Sequence, residues 1–240
     1  MNIFNNFLTN YEKNPNKIFL KLKNPNKEFS YSDIYKNTFK IIYLLNNYKK
    51  EKIALVLEND ENFISAILAS LYLKLCIVPL SSKITIPDLN KQVKKFEINV
   101  VLIDSIFFYK FKNCNSVKKI FVKKNFSNYS VIRHKLKKVR YKNFDFLISS
   151  TSGSTGEPKG IVLTYKNKLD RISMLKKIYK IQSSDKLLIS TPLYHTLGFR
   201  LILLSLMHGN HVVLLNNFSL TALQESLNDH GVTFYMTVSS

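Results

Sequence analysis

The order of helix and strand signals predicts an α/β fold with mostly parallel sheets flanked by helices. Three observations carry that expectation. Short, continuous apolar runs at residues 53–57, 76–80 and 100–103 read as strands covered on both faces. Between them, apolar residues return at helical spacing. A chain that is 45% hydrophobic and 22% charged also has enough apolar matter for a core, which excludes general disorder. At 240 residues it suits one large domain or two small ones.

The elements follow in order. Ser30-x-x-Asp33 reads as a capping box ahead of a helix carrying Ile34, Thr38, Ile41, Ile42 and Leu45. Residues 53–57 form the first buried strand. Phe63, Ile64, Ile67, Leu68, Leu71 and Tyr72 then line one side of a helix. Residues 76–80 are the next strand, Pro87 opens a short helix to Val93, and 100–103 and 117–122 are strands. Residues 146–149 read as a strand, 150–160 as a loop and 161–163 as extended chain. A helix over 167–179 places Leu169, Ile172, Leu175 and Tyr179 on one side. Residues 186–189 are a strand, and a helix from Phe199 stops at Gly209. The apolar run within it, 201–207, reads as core rather than as the wall of a tunnel. A strand at 212–215, a helix at 220–228 and a strand at 232–238 complete the pattern.

Composition narrows the class. Two cysteines, Cys76 and Cys114, exclude a disulfide scaffold and a cysteine-built zinc site, and suit a reducing cytoplasm. Neither has a sequence-local His partner. No basic start and apolar run opens the chain as a secretory signal would. The most apolar stretch, 63–80, is interrupted by Lys74 and Pro79, so no membrane span is expected. His208 and His211 flank a glycine with no acidic or thiol neighbour, so no metal site is expected there.

The charge is +20, from 36 basic and 16 acidic residues. Residues 105–144 hold twelve Lys or Arg and no Asp or Glu. A solvated lysine-rich surface is the first reading, and a docking face for an acidic partner is the second. Phe107, Phe108, Tyr109, Phe111, Phe121, Phe126 and Tyr129 interleave with these charges. Their strand-like alternation assigns several to the core rather than to base stacking. No specific nucleic-acid partner is expected.

The chemistry concentrates in Thr151-Ser152-Gly153-Ser154-Thr155-Gly156-Glu157-Pro158-Lys159-Gly160. Gly153 and Gly156 let the backbone approach an anion closely. Consecutive N–H groups in such a turn make an anion nest. The hydroxyls add donors and Lys159 adds charge. A hydrogen bond to a charged group contributes about 1.5–3 kcal/mol, so several would hold a polyphosphate. The Walker A order is absent, because Lys159 follows a proline and precedes a glycine.

This ten-residue run resembles the signature loop of the adenylate-forming (AMP-binding) superfamily, with only Glu157 at a freely varying place. Further segments are similar in the same order: Phe29-Ser30-Tyr31 before a helix, Val78-Pro79-Leu80, and Pro192-Leu193-Tyr194-His195-Thr196-Leu197-Gly198. The last resembles the acyl- or aryl-CoA ligase branch more than the amino-acid adenylating branch. Two departures stand out. The family usually has a glycine shortly before Pro79, where this chain has Leu75 and Cys76, and Ser239 stands where a proline is usual.

The resemblance implies the large N-terminal domain of such an enzyme, without the C-terminal domain. Residues 1–145 would form the first subdomain, and 146–240 the phosphate loop and the start of a second. It implies activation of a small carboxylic acid by ATP with Mg2+, then transfer to CoA or to the phosphopantetheine of an acidic carrier protein. Fatty and aromatic acids both remain open. Thr151, Ser152, Gly153, Ser154, Thr155, Gly156 and Lys159 would bind the nucleotide, with Thr155 also meeting the metal. Lys159 and His195 would be catalytic, His195 bordering the acid pocket. These 240 residues alone are expected to be inactive. A non-catalytic fragment, an amino-acid adenylating enzyme and a basic binding module are the alternatives.

Overall fold

A computed structural model describes residues 2–122, 135–151, 159–229 and 231–237. The first elements are α1 (Ile3–Lys13), β1 (Ile18–Lys23), β2 (Lys27–Ser30), α2 (Tyr31–Leu45), β3 (Lys52–Val56), α3 (Glu61–Leu73) and β4 (Cys76–Pro79). Then come α4 (Ile86–Phe96), β5 (Val100–Asp104), the single turn α5 (Phe108–Phe111), β6 (Lys118–Val122), β7 (Asp145–Thr151) and β8 (Lys159–Thr164). The last are α6 (Tyr165–Tyr179), β9 (Lys186–Ile189), α7 (Thr196–His208), β10 (His211–Leu215), α8 (Leu220–Asp229) and β11 (Phe234–Tyr235). Among the described residues no helix is long and apolar enough to cross a membrane.

These elements form two compact units. Met1–Asn37, Asn59–Ile64 and Asn167–Ser240 make the first, and Thr38–Glu58 with Ser65–Lys166 the second. Each holds one sheet. In the first unit the order is β11-β9-β10-β1-β2, parallel except where β2 returns antiparallel to β1. In the second it is β6-β5-β3-β4-β7-β8, parallel except where β8 returns antiparallel to β7. The expected architecture of mostly parallel sheets with flanking helices is therefore present.

Local chemistry explains the elements. Asn2 caps α1, its side chain accepting from the Asn5 N–H at 3.0 Å. Ile3, Phe4, Phe7 and Leu8 form the buried face of α1, which packs on the buried run of α7. Residues 201–207 are core, as read from sequence. Ser30 and Asp33 form the capping box: the Ser30 N–H donates to Asp33 at 2.8 Å, and the Asp33 N–H to Ser30 Oγ at 3.2 Å. In the second unit Ala54, Val56, Val78, Leu89, Val101, Ile103, Phe111 and Ile148 pack into one cluster.

The glycine missing before Pro79 has a structural answer. Lys74 takes the left-handed conformation (φ 59°), and the Leu75 N–H donates to the Ser70 carbonyl at 2.9 Å, which ends α3. Glu97 ends α4 and Lys180 ends α6 in the same way, with φ of 54° and 51°. A side chain in that region costs about 1 kcal/mol, a cost glycine avoids.

Of the boundaries that differ from the sequence reading, three matter most. α7 begins at Thr196 rather than Phe199, because the His195 carbonyl already accepts the Phe199 N–H at 2.9 Å. Among the described residues the last strand is Phe234–Tyr235, shorter than the expected 232–238. Just before it, Thr233 ties to β9 partly by its side chain, accepting the Lys186 N–H at 3.0 Å and donating to Asp185 at 2.7 Å. The 150–160 loop is shorter than expected, since Ser150 and Thr151 belong to β7 while Lys159 and Gly160 belong to β8.

Candidate functional site

The signature segment grows from the β7–β8 hairpin of the second unit. The antiparallel ladder runs Leu147↔Leu163, Ile148↔Val162, Ser149↔Ile161, Ser150↔Gly160 and Thr151↔Lys159. Pairing satisfies the backbone groups of both strands. Its last rung joins Thr151 to Lys159, so both ends of segment 152–158 leave from one point. That point is the carboxyl end of β7, which lies parallel to β4. Open parallel sheets place ligands beyond the carboxyl ends of their strands. Ser152, Gly153, Ser154, Thr155 and Gly156 lie outside the described residues, as do Glu157 and Pro158.

Packing holds the hairpin. A Cβ on Gly160 would collide with the Phe96 ring and lie 3.2 Å from Ile148 Cγ2. Only glycine lets β8 sit this close to α4. Below the hairpin, Tyr165 stacks on Phe144 (5.5 Å, 18°) and meets Tyr141 at 4.8 Å. The Tyr165 N–H donates to the Phe144 carbonyl at 2.9 Å, and the Lys166 N–H to Asn143 at 3.1 Å. Burial drives the Tyr141 hydroxyl above its ordinary range, with Tyr165 adding to the shift.

His195 belongs to the first unit, at the N-cap of α7 with extended backbone (φ −85°, ψ 149°). Its side chain makes no capping hydrogen bond and is exposed, and its ring lies 4.3 Å from that of Tyr194. The turn beneath it is tightly built. The Leu193 N–H donates to buried Asn59 at 2.7 Å, and the His195 N–H to the Pro192 carbonyl at 2.9 Å. A Cβ on Gly198 would lie 2.5 Å from the Thr191 carbonyl oxygen and 2.6 Å from that of Pro192.

Sequence reading missed a cationic group in this unit. It took α6 as apolar on one side through Leu169, Ile172, Leu175 and Tyr179, yet Tyr179 is exposed and Lys168 is 2% exposed. The Lys168 ammonium lies 5.4 Å from the centre of the Phe199 ring. Burial, then Arg200, then Arg171, lower its pKa to about 8. Arg200 Nε is also buried, with no hydrogen-bond partner among the described residues. The available signal was three cations on two neighbouring helical segments, Lys168, Arg171 and Arg200, two of them three residues apart.

The second unit has its own basic feature. A cavity of about 670 Å3 opens at the amino ends of β3, β4 and β7. Lys50, Lys52, Lys74, Lys95 and Lys142 line it over Cys76 and Phe96. Lys52 is paired with Glu97 at 2.9 Å. Within the basic stretch 105–144, Phe107, Phe111 and Phe121 pack in or against the core cluster, while Tyr109 is 81% exposed. Phe126 and Tyr129 lie outside the described residues.

The remaining candidates are structural. Cys76 and Cys114 are buried free thiols. Burial, with nearby Asp145, pushes Cys76 up to about 11. His208 Nδ1 meets Lys176 at 3.3 Å, and His211 Nδ1 meets the Ile18 carbonyl at 3.3 Å. Among the described residues no group of three or more His, Cys, Asp or Glu gathers to hold a metal ion.

Comparison with known proteins assigns the chain. The profile of the family described as AMP-binding enzyme matches residues 7–240. A 2-succinylbenzoate–CoA ligase of Bacillus cytotoxicus is 25% identical over 199 residues, covering 80% of this chain and 38% of that protein. One of Oceanobacillus iheyensis is 27% identical over 194 residues, covering 79% and 39%. The chain thus spans about four-tenths of the length of these curated relatives. The structure of O-succinylbenzoate coenzyme A synthetase from Bacillus subtilis, in complex with ATP and magnesium ion, superposes with a TM-score of 0.80 at 22% identity. It covers 96% of this chain and 62% of that one, and the likeness shows the fold.

Proposed function

Since the chain belongs to the AMP-binding enzymes, we propose that the whole protein activates a carboxylic acid with ATP and passes the acyl group to a thiol. A carboxylate oxygen attacks the α-phosphorus, the bond to the β-phosphate breaks, and pyrophosphate leaves. The thiol then attacks the acyl carbon and AMP leaves. The first step needs alignment of two anions and neutralisation of the charge between them.

The roles follow from the residues. Backbone N–H groups and hydroxyls of Thr151, Ser152, Gly153, Ser154, Thr155 and Gly156 hold the β- and γ-phosphates, with Thr155 foremost. Lys159, opposite Thr151 on the last rung, adds charge and anchors the loop. Magnesium supplies further positive charge to the phosphates when bound, and the hard hydroxyl oxygen of Thr155 is its fitting protein contact. His195, exposed above a rigid turn, borders the acid. The acid carries a second carboxylate, as does the 2-succinylbenzoate on which the relatives act. CoA is the acceptor. The +20 charge supports the pantetheine of an acidic carrier protein as the second candidate. Two free cysteines suit a cytoplasmic setting.

The observation that carries this reading is the glycine- and hydroxyl-rich segment closed by one rung at the carboxyl end of β7. Pyrophosphate exchange by the whole protein, over a panel of carboxylic acids, tests it. Thr155→Ala and Lys159→Ala should each lower exchange by about 100-fold or more, as loss of one preorganised donor does. Exchange unchanged in both variants would overturn the assignment.

A further inference from the structure

Lys168 is buried, Arg200 is half-buried and Arg171 is exposed, and all three are cations. Lys168 and Arg171 are three residues apart on α6 and so share a face. Arg200 follows Phe199 on α7, and the Lys168 ammonium lies against that phenylalanine ring. Burial, Arg200 and Arg171 hold the Lys168 ammonium below its ordinary pKa, and burial and Arg171 do the same to Arg200. Among the described residues no ion pair reaches any of them. A lysine this buried is almost never left without an anion. Attraction to one aromatic face, worth about 0.5–2 kcal/mol, does not offset the desolvation of an ammonium.

We propose that Lys168, Arg200 and Arg171 form a socket for the second acidic group of the acid substrate, the end that is not activated. Lys168 and Arg200 are the inner contacts, and Arg171, exposed, is the outer one. A guanidinium takes a carboxylate through two parallel N–H groups, and the unpartnered Arg200 Nε is one such donor. Position on α7 sets the length of the ligand. His195, which borders the reacting end in the reading above, caps the same helix five residues before Arg200. At 1.5 Å and 100° per residue that is about 7.5 Å along the axis and about 140° around it, so the ligand would have to pass round the start of the helix. The socket therefore selects diacids whose carboxylates stand several ångströms apart. The inference rests on the proposed activation of a diacid.

The test is pyrophosphate exchange by the whole protein with matched acids: adipate against hexanoate, and homophthalate against phenylacetate. The wild type should prefer the dicarboxylate in each pair. Lys168→Met and Arg200→Met should reduce that preference ratio by about 100-fold through KM, as loss of one partner from a desolvated charge pair does. Lys168→Arg should restore most of it. Thermal unfolding of each variant shows that it folds. If both variants leave the ratio unchanged, or lower exchange equally with both acids of a pair, the cations serve an internal contact and the proposal falls. Failure of the parent reading looks different: the folded wild type then shows no exchange with any acid, which overturns both.

Discussion

The two sheets end alike and differ in what joins their last pair of strands. In the first unit β2 folds back on β1 through three residues, 24–26, and Lys21 pairs with Glu28 across the ladder at 3.1 Å. In the second, β8 folds back on β7, and the connection is the seven-residue segment 152–158. Both hairpins place an antiparallel edge on an otherwise parallel sheet. The short one has room only to reverse the chain. The long one carries two glycines and three hydroxyls above a rung that needs no help from them to close. The proposed nucleotide role therefore belongs to the connection and not to the sheet.

Exchanging the connections is the severest trial of that contrast. With 152–158 replaced by Asn-Gly, the whole protein should lose ATP affinity by 100-fold or more in calorimetry. Shortening the loop changes its closure entropy by only about 1 kcal/mol, so the fold should persist. The same Asn-Gly swap at 24–26 should leave ATP affinity alone. Equal losses from both swaps would end the comparison.

Gly160 sharpens it, because the long hairpin depends on one close approach. Gly160→Ala forces a methyl group into the Phe96 ring and should cost about 1–3 kcal/mol in thermal unfolding. In a Phe96→Ala background the same change should cost about 0.5 kcal/mol or less, because the obstacle is gone. Additive effects in the double variant would place the strain elsewhere.

The smallest effect belongs to the short hairpin and is a pH effect. His211 Nδ1 meets the Ile18 carbonyl at the start of β1. Burial lowers its pKa below the ordinary 6.5, against an opposing contribution from that hydrogen bond. The unfolded chain then takes up a proton first as pH falls through 6.5, so stability is lost toward acid. His208, also held low by burial and Lys176, acts in the same sense. Melting temperature should fall between pH 7 and 5, and His211→Gln should flatten that slope. A slope unchanged in the variant would remove His211 as its source.

Much of this was legible beforehand. The apolar runs at 53–57, 76–80 and 100–103 are strands because a doubly covered strand must be apolar throughout. Ser30 and Asp33 form their box because a cap needs only neighbours three residues apart. What went unread has equally physical causes. Lys168 sits in a helix whose exposed side is also rich in lysine, so no periodicity separates a buried lysine from a solvated one. The β1 strand was missed because Lys21 and Lys23 interrupt it, and Lys23 is buried against Glu225, some 200 residues away in the chain.

Local rules therefore reach the strands, the caps and the glycine-hydroxyl segment, since each depends on chemistry within a few residues. They cannot reach the pairing of β1 with β10, the ring against which Gly160 must fit, or the meeting of Lys168 with the Phe199 ring. Those depend on which distant surfaces pack together, and packing is settled by the burial of all the elements at once.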